Sequence, residues 1–215
     1  MIYSPPPDTD PDILYDDDYI IVVNKPAGLL SVPGRGPEKA DCQVTRLQRH
    51  HQTVLTVHRL DMETSGLMVF ARDPDTHRFL SQAFQNREVE KHYTAWISGI
   101  PDTSEGSIDL PLIADWPNRP RQKVDTAVGK PSLTHWTVTR RAKDKCQVSL
   151  IPVTGRSHQL RVHMMAMGHP ILGDPLYAPP ADLAAADRLM LHARFLKLPC
   201  LSGNGFQEFV CPAPF

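Results

Sequence analysis

Long hydrophobic runs are missing from this 215-residue sequence. Its longest apolar stretches, such as Ile20 to Val23 and Leu67 to Ala71, are far short of the roughly 20 residues that a membrane-spanning helix requires. Neither a basic segment nor an apolar one follows Met1, so nothing there reads as a signal peptide, and the expected address is the cytoplasm with no membrane partner. Cysteine is scarce, with four at positions 42, 146, 200 and 211. No CxxC occurs and no histidine pair stands at zinc-ligand spacing, so these are read as buried or incidental thiols and no metal is expected. His50 and His51 are read as surface residues. GxxxxGK and GxGxxG are absent, so no nucleotide cofactor is suggested. Excess charge is lacking too: the formal net charge is −1, which argues against a protein that coats nucleic acid by charge alone.

Two features are over-supplied. Proline, at 21 residues, is roughly twice its usual share and punctuates loops at Pro5 to Pro7, Pro111, Pro117, Pro120, Pro179 and Pro180. Charge is also unevenly spread. Every charged side chain before Lys25 is an aspartate. Positive charge gathers later, at Arg119, Arg121 and Lys123, at Arg140 to Lys145, and at Arg156 and Arg161 with His158 and His163. One basic face is compatible with a near-zero sum, and so is an ordinary set of solvated loops.

The pattern along the chain predicts an extended or disordered leader over residues 1–12 and one domain over 13–215. Strands are expected at Ile20 to Asn24, Leu67 to Ala71, Tyr93 to Gly99, Thr134 to Thr139 and Gln147 to Pro152. Phe79, Leu80, Ala83 and Phe84 recur at helical spacing, with Asp75 as the expected cap. A second helix is bracketed by Ser157 as N-cap and Gly168 beyond its C-terminus, with Leu160, Met164 and Met167 facing inward. Strands outnumber helices without regular βα alternation. The expected class is α+β, a mostly antiparallel mixed sheet flanked by helices and loops.

The stretch VHRLDMETSGLMVFARD, Val57 to Asp73, concentrates the chemistry. An aspartate before a strand is ordinarily a turn or capping group. In an extended segment Arg59 lies on the same side as Asp61; Arg161, on a helix face, is a candidate countercharge, and an arginine close to an aspartate keeps it ionised. An ionised, oriented, partly dry carboxylate is a nucleophile or general base. Spacing alone leaves both readings of Asp61 open.

HRLDMETSGLMVFA resembles the signature of the RluA family of RNA pseudouridine synthases: HRLD, two variable residues, TSG and an apolar strand. NKPAGLLSVPG (Asn24 to Gly34), KHYTAWISG (Lys91 to Gly99), TGRSHQLRVHMMAMGHPILGD (Thr154 to Asp174) and LMLHA (Leu189 to Ala193) resemble further family motifs in the same order. The resemblance implies the pseudouridine synthase fold and an isomerase that breaks the N1–C1′ bond of uridine, turns the base and rejoins it through C5. It implies no cofactor and no metal. By residue, it makes Asp61 the catalytic aspartate, Arg161 its paired arginine, Tyr93 the aromatic on the target base, and Arg59 the side chain that enters the RNA stack when the uridine leaves. Arg121, Lys123, Arg156 and His158 are RNA-contact candidates, Lys25 is left open, and His58, Thr64 and Ser65 are read as scaffold.

Family sequence begins almost at once, so no S4-like RNA-binding domain is expected. Asp109 to Val124 resembles the family's dual-specificity member, which implies a 23S rRNA hairpin and a tRNA anticodon stem-loop as RNA partners. Nothing in the sequence demands more than a monomer. Two other classes compete. One is an RNA-binding protein without turnover, which has no use for an ionised carboxylate facing phosphates. The other is a glycoside hydrolase using Asp61 and Glu63, which leaves the third motif unexplained.

Overall fold

The computed structural model describes residues 3–215; the first two residues of the expected leader lie outside them. In chain order the elements are β1 (Ile13–Asp16), β2 (Ile20–Lys25), α1 (Gln43–Leu47), β3 (Leu55–Thr56), β4 (Ser65–Ala71), α2 (Pro74–Asn86) and β5 (Glu90–Ser98). There follow β6 (Glu105–Asp109), β7 (Leu112–Ala114), β8 (Gln122–Val124), β9 (Leu133–Arg141), β10 (Lys145–Pro152), α3 (Gln159–Ala166), α4 (Pro180–Ala184), β11 (Leu191–Pro199) and β12 (Phe206–Val210). They form two compact units, Met1–Glu90 with Ala193–Pro214, and Lys91–His192 with Phe215. Among the described residues no helix is long and apolar enough to cross a membrane.

In the first unit the strand order is β1-β2-β4-β11, with β3 on β4 and β12 on β11. β2 runs antiparallel to β4 from Ile20 opposite Ala71 to Lys25 opposite Gly66. β4 is buried along its whole length, which is why SGLMVFA reads as a continuous apolar run rather than an alternating one. Ile20, Val22, Leu67 and Val69 pack with Leu80 and Ala83 of α2 and with Leu196, Leu198 and Phe209. The expected inward residues of α2 hold: Leu80 and Ala83 are buried, and Phe79 and Phe84 pack against the same cluster. Its cap is Asp73, not Asp75. Asp73 Oδ1 accepts from the amides of Asp75 and Thr76 at 2.8 and 2.9 Å, and Pro74 fills the first helical position, where its missing N–H costs nothing. The hydrogen bonds from Thr76 also hold the Asp73 carboxyl below the usual carboxylate range.

Residues 3–12 carry no helix or strand, yet side chains tie them down. Arg46 donates to the carbonyls of Pro6 and Pro7 at 2.8 and 2.9 Å while its fork grips Asp41. Tyr3 Oη donates to the Asp41 carbonyl and accepts from Leu30 N. His50 is exposed as expected, but His51 turns inward, its side chain 11% exposed.

The second unit carries β5-β10-β9-β6, each pair antiparallel. Ala95, Ile97, Val148, Leu150, Leu160 and Met164 are buried together, and Met167 packs against them. The proline-rich stretch expected to be loop contains the small β7–β8 hairpin. α3 starts one residue later than expected. His158, not Ser157, is the N-cap, with φ at 55°, and it gives no side-chain cap. Gly168 follows the helix with φ at 86°, the left-handed conformation that suits a glycine there.

Gly66, the glycine of TSG, has φ of 111°, and a Cβ there would lie 2.3 Å from the carbonyl oxygen of Ala193. Gly66→Ala is therefore expected to lose roughly 2–5 kcal/mol of stability, combining backbone strain with a clash against backbone that has no side chain to move aside. Urea denaturation of the two proteins measures it.

His163 gives the fold a pH dependence. It is buried, with Nδ1 at 2.9 Å from Thr134 Oγ1 and Nε2 at 3.0 Å from the Leu110 carbonyl, and burial pushes its pKa below the ordinary value. The unfolded chain thus binds this proton more readily, so stability falls as pH drops below about 6.5, at no more than about 1.4 kcal/mol per pH unit. The expected result is a shallower acid-side decline for His163→Gln, read from urea midpoints between pH 7.5 and 5.

Candidate active site

The first unit places Asp61 by clamping its neighbours. Leu60 is held at both backbone groups by one hydroxyl: Ser31 Oγ donates to its carbonyl at 2.7 Å and accepts from its amide at 3.1 Å. The Met62 carbonyl accepts from Gly28 N at 2.9 Å and from Lys25 Nζ at 3.1 Å. Lys25 has no exposed surface, and its ammonium also donates to the carbonyls of Pro26 and Leu29. Between these two fixed peptides, the Asp61 carbonyl accepts from Thr64 N and closes the turn into β4. Asp61 itself is half-buried.

The open question of Lys25 is thereby answered in structural terms: it binds the Asn24 to Gly34 motif to the turn bearing Asp61. His58 is likewise tied into this unit. Its Nε2 accepts from Val69 N at 3.1 Å, and its ring stacks on Phe84 with centroids 4.6 Å apart. Thr64, at the end of the turn, and Ser65, the first residue of β4, are buried. Arg59 is exposed, immediately before the anchored Leu60.

In the second unit, the TGRSHQLRVH segment is pinned by a buried polar chain. Gln159 Oε1 accepts from Thr154 Oγ1 at 2.7 Å and from Arg156 N at 3.0 Å, while its Nε2 donates to the Leu133 carbonyl and to Thr134 Oγ1. Thr134 continues the chain to His163. With the helix start fixed, Arg161 is aimed by a buried carboxylate: Nε and Nη2 meet Asp174 Oδ2 and Oδ1 at 2.8 and 2.6 Å. Asp174 Oδ1 also accepts from the amides of Leu176 and Tyr177. The Arg161 guanidinium lies 5.1 Å from the centroid of the Tyr177 ring.

Tyr177 is a hub. Its hydroxyl accepts from Gln122 N at 2.8 Å and lies 2.6 Å from His158 Nδ1, and Arg121 sits 5.3 Å from its ring. Of the residues read as RNA contacts, His158 and Arg121 therefore meet at one side chain. Lys123 and Arg156 are exposed. Tyr93 is half-buried on β5 against the core. Lys91 stands two residues earlier on that strand, and burial pushes its pKa down.

Motif reading does not single out Asp174 or Tyr177. The signal available for Asp174 was position: an acidic residue closing the apolar PIL run of the third motif, where a carboxylate without a cation would be costly. Tyr177 carried no comparable signal.

A family model described as RNA pseudouridylate synthase matches residues 19–166. The chain belongs to that family, in its RluA group. It is 51% identical over 214 residues to the dual-specificity RNA pseudouridine synthase RluA of Escherichia coli (strain K12), covering 99% of this chain and 98% of the relative. Identity to the protein of the same description from Yersinia pestis is 52% over 207 residues, 94% of this chain and 99% of that one. Among solved structures, human RNA pseudouridylate synthase domain containing 1 superposes with a TM-score of 0.82 at 28% identity, covering 99% of this chain and 87% of that one. The corresponding human domain containing 4 gives 0.75 at 28% identity, covering 94% and 88%. The fold is the α+β pseudouridine synthase fold, and the activity is isomerisation of uridine to pseudouridine in RNA.

Removing Asp174 leaves Arg161 as a buried charge stripped of the fork that aims it. Asp174→Ala is expected to cost about 3–5 kcal/mol of stability in chemical denaturation.

Proposed function

We propose that the enzyme isomerises one uridine in a 23S rRNA hairpin and one in the anticodon stem-loop of tRNA, acting in the cytoplasm as a monomer. The observation that carries this reading is identity of about half over nearly the whole chain to synthases described as dual-specificity. The Asp109 to Val124 resemblance points to the same two RNAs.

Asp61 supplies the ionised carboxylate that cleavage of the glycosidic bond calls for, as nucleophile or base. Arg161 is its countercharge, oriented through Asp174. Tyr93 stacks on the extruded base. Arg59 enters the RNA stack in its place; an exposed planar guanidinium rooted on a clamped peptide suits that task. Arg121, Lys123, Arg156 and His158 meet the phosphates and position the loop. Extruding the uridine costs a few kcal/mol in unstacking, which base–aromatic stacking of ~1–3 kcal/mol partly offsets. The rearrangement is an isomerisation, balanced in atoms and electrons, and is assigned no cofactor and no metal.

Wild-type protein and Asp61→Asn, incubated with each RNA and mapped by chemical modification and reverse transcription, test the assignment. Expected are single converted sites in both RNAs, a loss of roughly 10²–10⁴-fold or more in the variant, and retained RNA binding. Conversion of one RNA alone would overturn the dual specificity, and turnover by the variant would overturn the role of Asp61.

A further inference from the structure

The β7–β8 hairpin ends in an exposed stacked pair that none of the roles above uses. Trp116 is 66% exposed, whereas Trp96 and Trp136 are 9% and 6% exposed. The Arg119 guanidinium carbon lies 4.3 Å from the Trp116 ring centroid. A tryptophan left mostly in water keeps a large apolar face unburied, and a guanidinium on one side leaves its other surface available for a flat partner.

The tip is ordered before anything binds. Asp115 N donates to the Arg121 carbonyl at 2.9 Å, Asn118 N to the Asp115 carbonyl at 3.0 Å, and Arg121 N to the Asn118 carbonyl at 3.0 Å. Asn118 Nδ2 also donates to Asp115 Oδ2 at 2.9 Å. Pro117 and Pro120 fix φ on either side of Asn118 and Arg119. The base of the hairpin is mounted on α3, because Gln122 N and the Arg121 guanidinium both engage Tyr177, whose hydroxyl meets His158 at the start of that helix. Such preorganisation lowers the entropic cost of binding. The charge is suited to a polyanion: between residues 112 and 124, Arg119, Arg121 and Lys123 face one acidic residue, Asp115.

We propose that Trp116, backed by Arg119, is a second base-stacking site, which takes an unpaired nucleobase of the substrate RNA loop other than the uridine being isomerised. The site selects loops that can splay out a second base, and it acts on binding rather than on the chemical step. A nucleobase is the fitting occupant because an aromatic face beside a guanidinium and further cations matches a base with its phosphates. The proposal rests on the RNA loops assigned under Proposed function.

The test pairs kinetics with fluorescence. Trp116→Ala is expected to raise KM for the RNA roughly 5–100-fold with kcat at saturation within about twofold, and Trp116→Phe to recover most of the loss. Because the other two tryptophans are buried, iodide quenching of wild-type protein reports mainly on Trp116, and bound RNA should shield it. An unchanged KM in Trp116→Ala, or full iodide access in the RNA complex, would falsify the stacking site while leaving the synthase assignment intact. Shielding that grows with protein concentration in the absence of RNA would give this face to a second copy of the chain, and so also overturn the proposal. If wild type converts neither RNA, the substrate assignment fails separately, and shielding by either RNA still decides the stacking site.

Discussion

A lysine ammonium taken wholly out of water keeps its place only where fixed acceptors replace the lost hydration. Lys25 meets this condition with the carbonyls of Pro26, Leu29 and Met62, and in doing so it determines where those peptides sit. Pro26 and Leu29 belong to the turn after β2, and Met62 to the turn before β4. The two strands pair with Lys25 opposite Gly66, so the same register that builds the sheet brings both turns together. Ser31 then fixes Leu60 from the other side. Asp61 thus receives its place from backbone hydrogen bonds on either side.

The second unit reaches the same end with different chemistry. There a side-chain amide, two threonine hydroxyls and a neutral imidazole form a satisfied polar chain that fixes the start of α3. Arg161 sits in the first turn of that helix and is held by a bidentate carboxylate. A buried ion pair of this kind adds little net stability over well-packed apolar residues, but breaking it is expensive. Its value here is geometric. It converts a long, rotamer-rich side chain into a fixed guanidinium, and Tyr177 carries that fixed position outward to the β7–β8 hairpin.

These two frameworks explain what was and was not legible in the sequence. β2 and β4 were legible because burial on both faces leaves an unbroken apolar run, and α2 because its core face recurs at helical spacing. β1, β6 and β12 are mostly exposed, with Ile108 the one buried residue of β6 and Phe209 that of β12, so too little of their apolar character survives to mark them. β7 and β8 are three residues each and lie among prolines. The cap of α2 was missed by two positions because Asp73 and Asp75 both precede helical spacing, and only Pro74 separates them. The left-handed backbone at His158 has no sequence signature at all. In the site, motif residues were visible as a set, but their purposes were not: Lys25 reaches Met62, Ser31 reaches Leu60, Gln159 reaches Thr134 and Asp174 reaches Arg161, across 37, 29, 25 and 13 residues, and spacing does not encode such pairs.

The division between buried and exposed polar groups also bears on selectivity. Lys25, Arg161, Gln159 and His163 are inside and arrange other groups, whereas Arg59, Lys123, Arg156, Trp116 and Arg119 are outside and available to RNA. With a net charge of −1, nonspecific attraction to a polyanion is weak, since that attraction scales with the phosphates neutralised. Affinity must then come from a few contacts made together. Rigid mounting matters more in that regime than total charge, because an RNA loop that fits one contact and misses the next gains almost nothing. A protein that reads folded loops rather than coating RNA is therefore expected to spend its buried polar residues on placement, which is where this chain has put them.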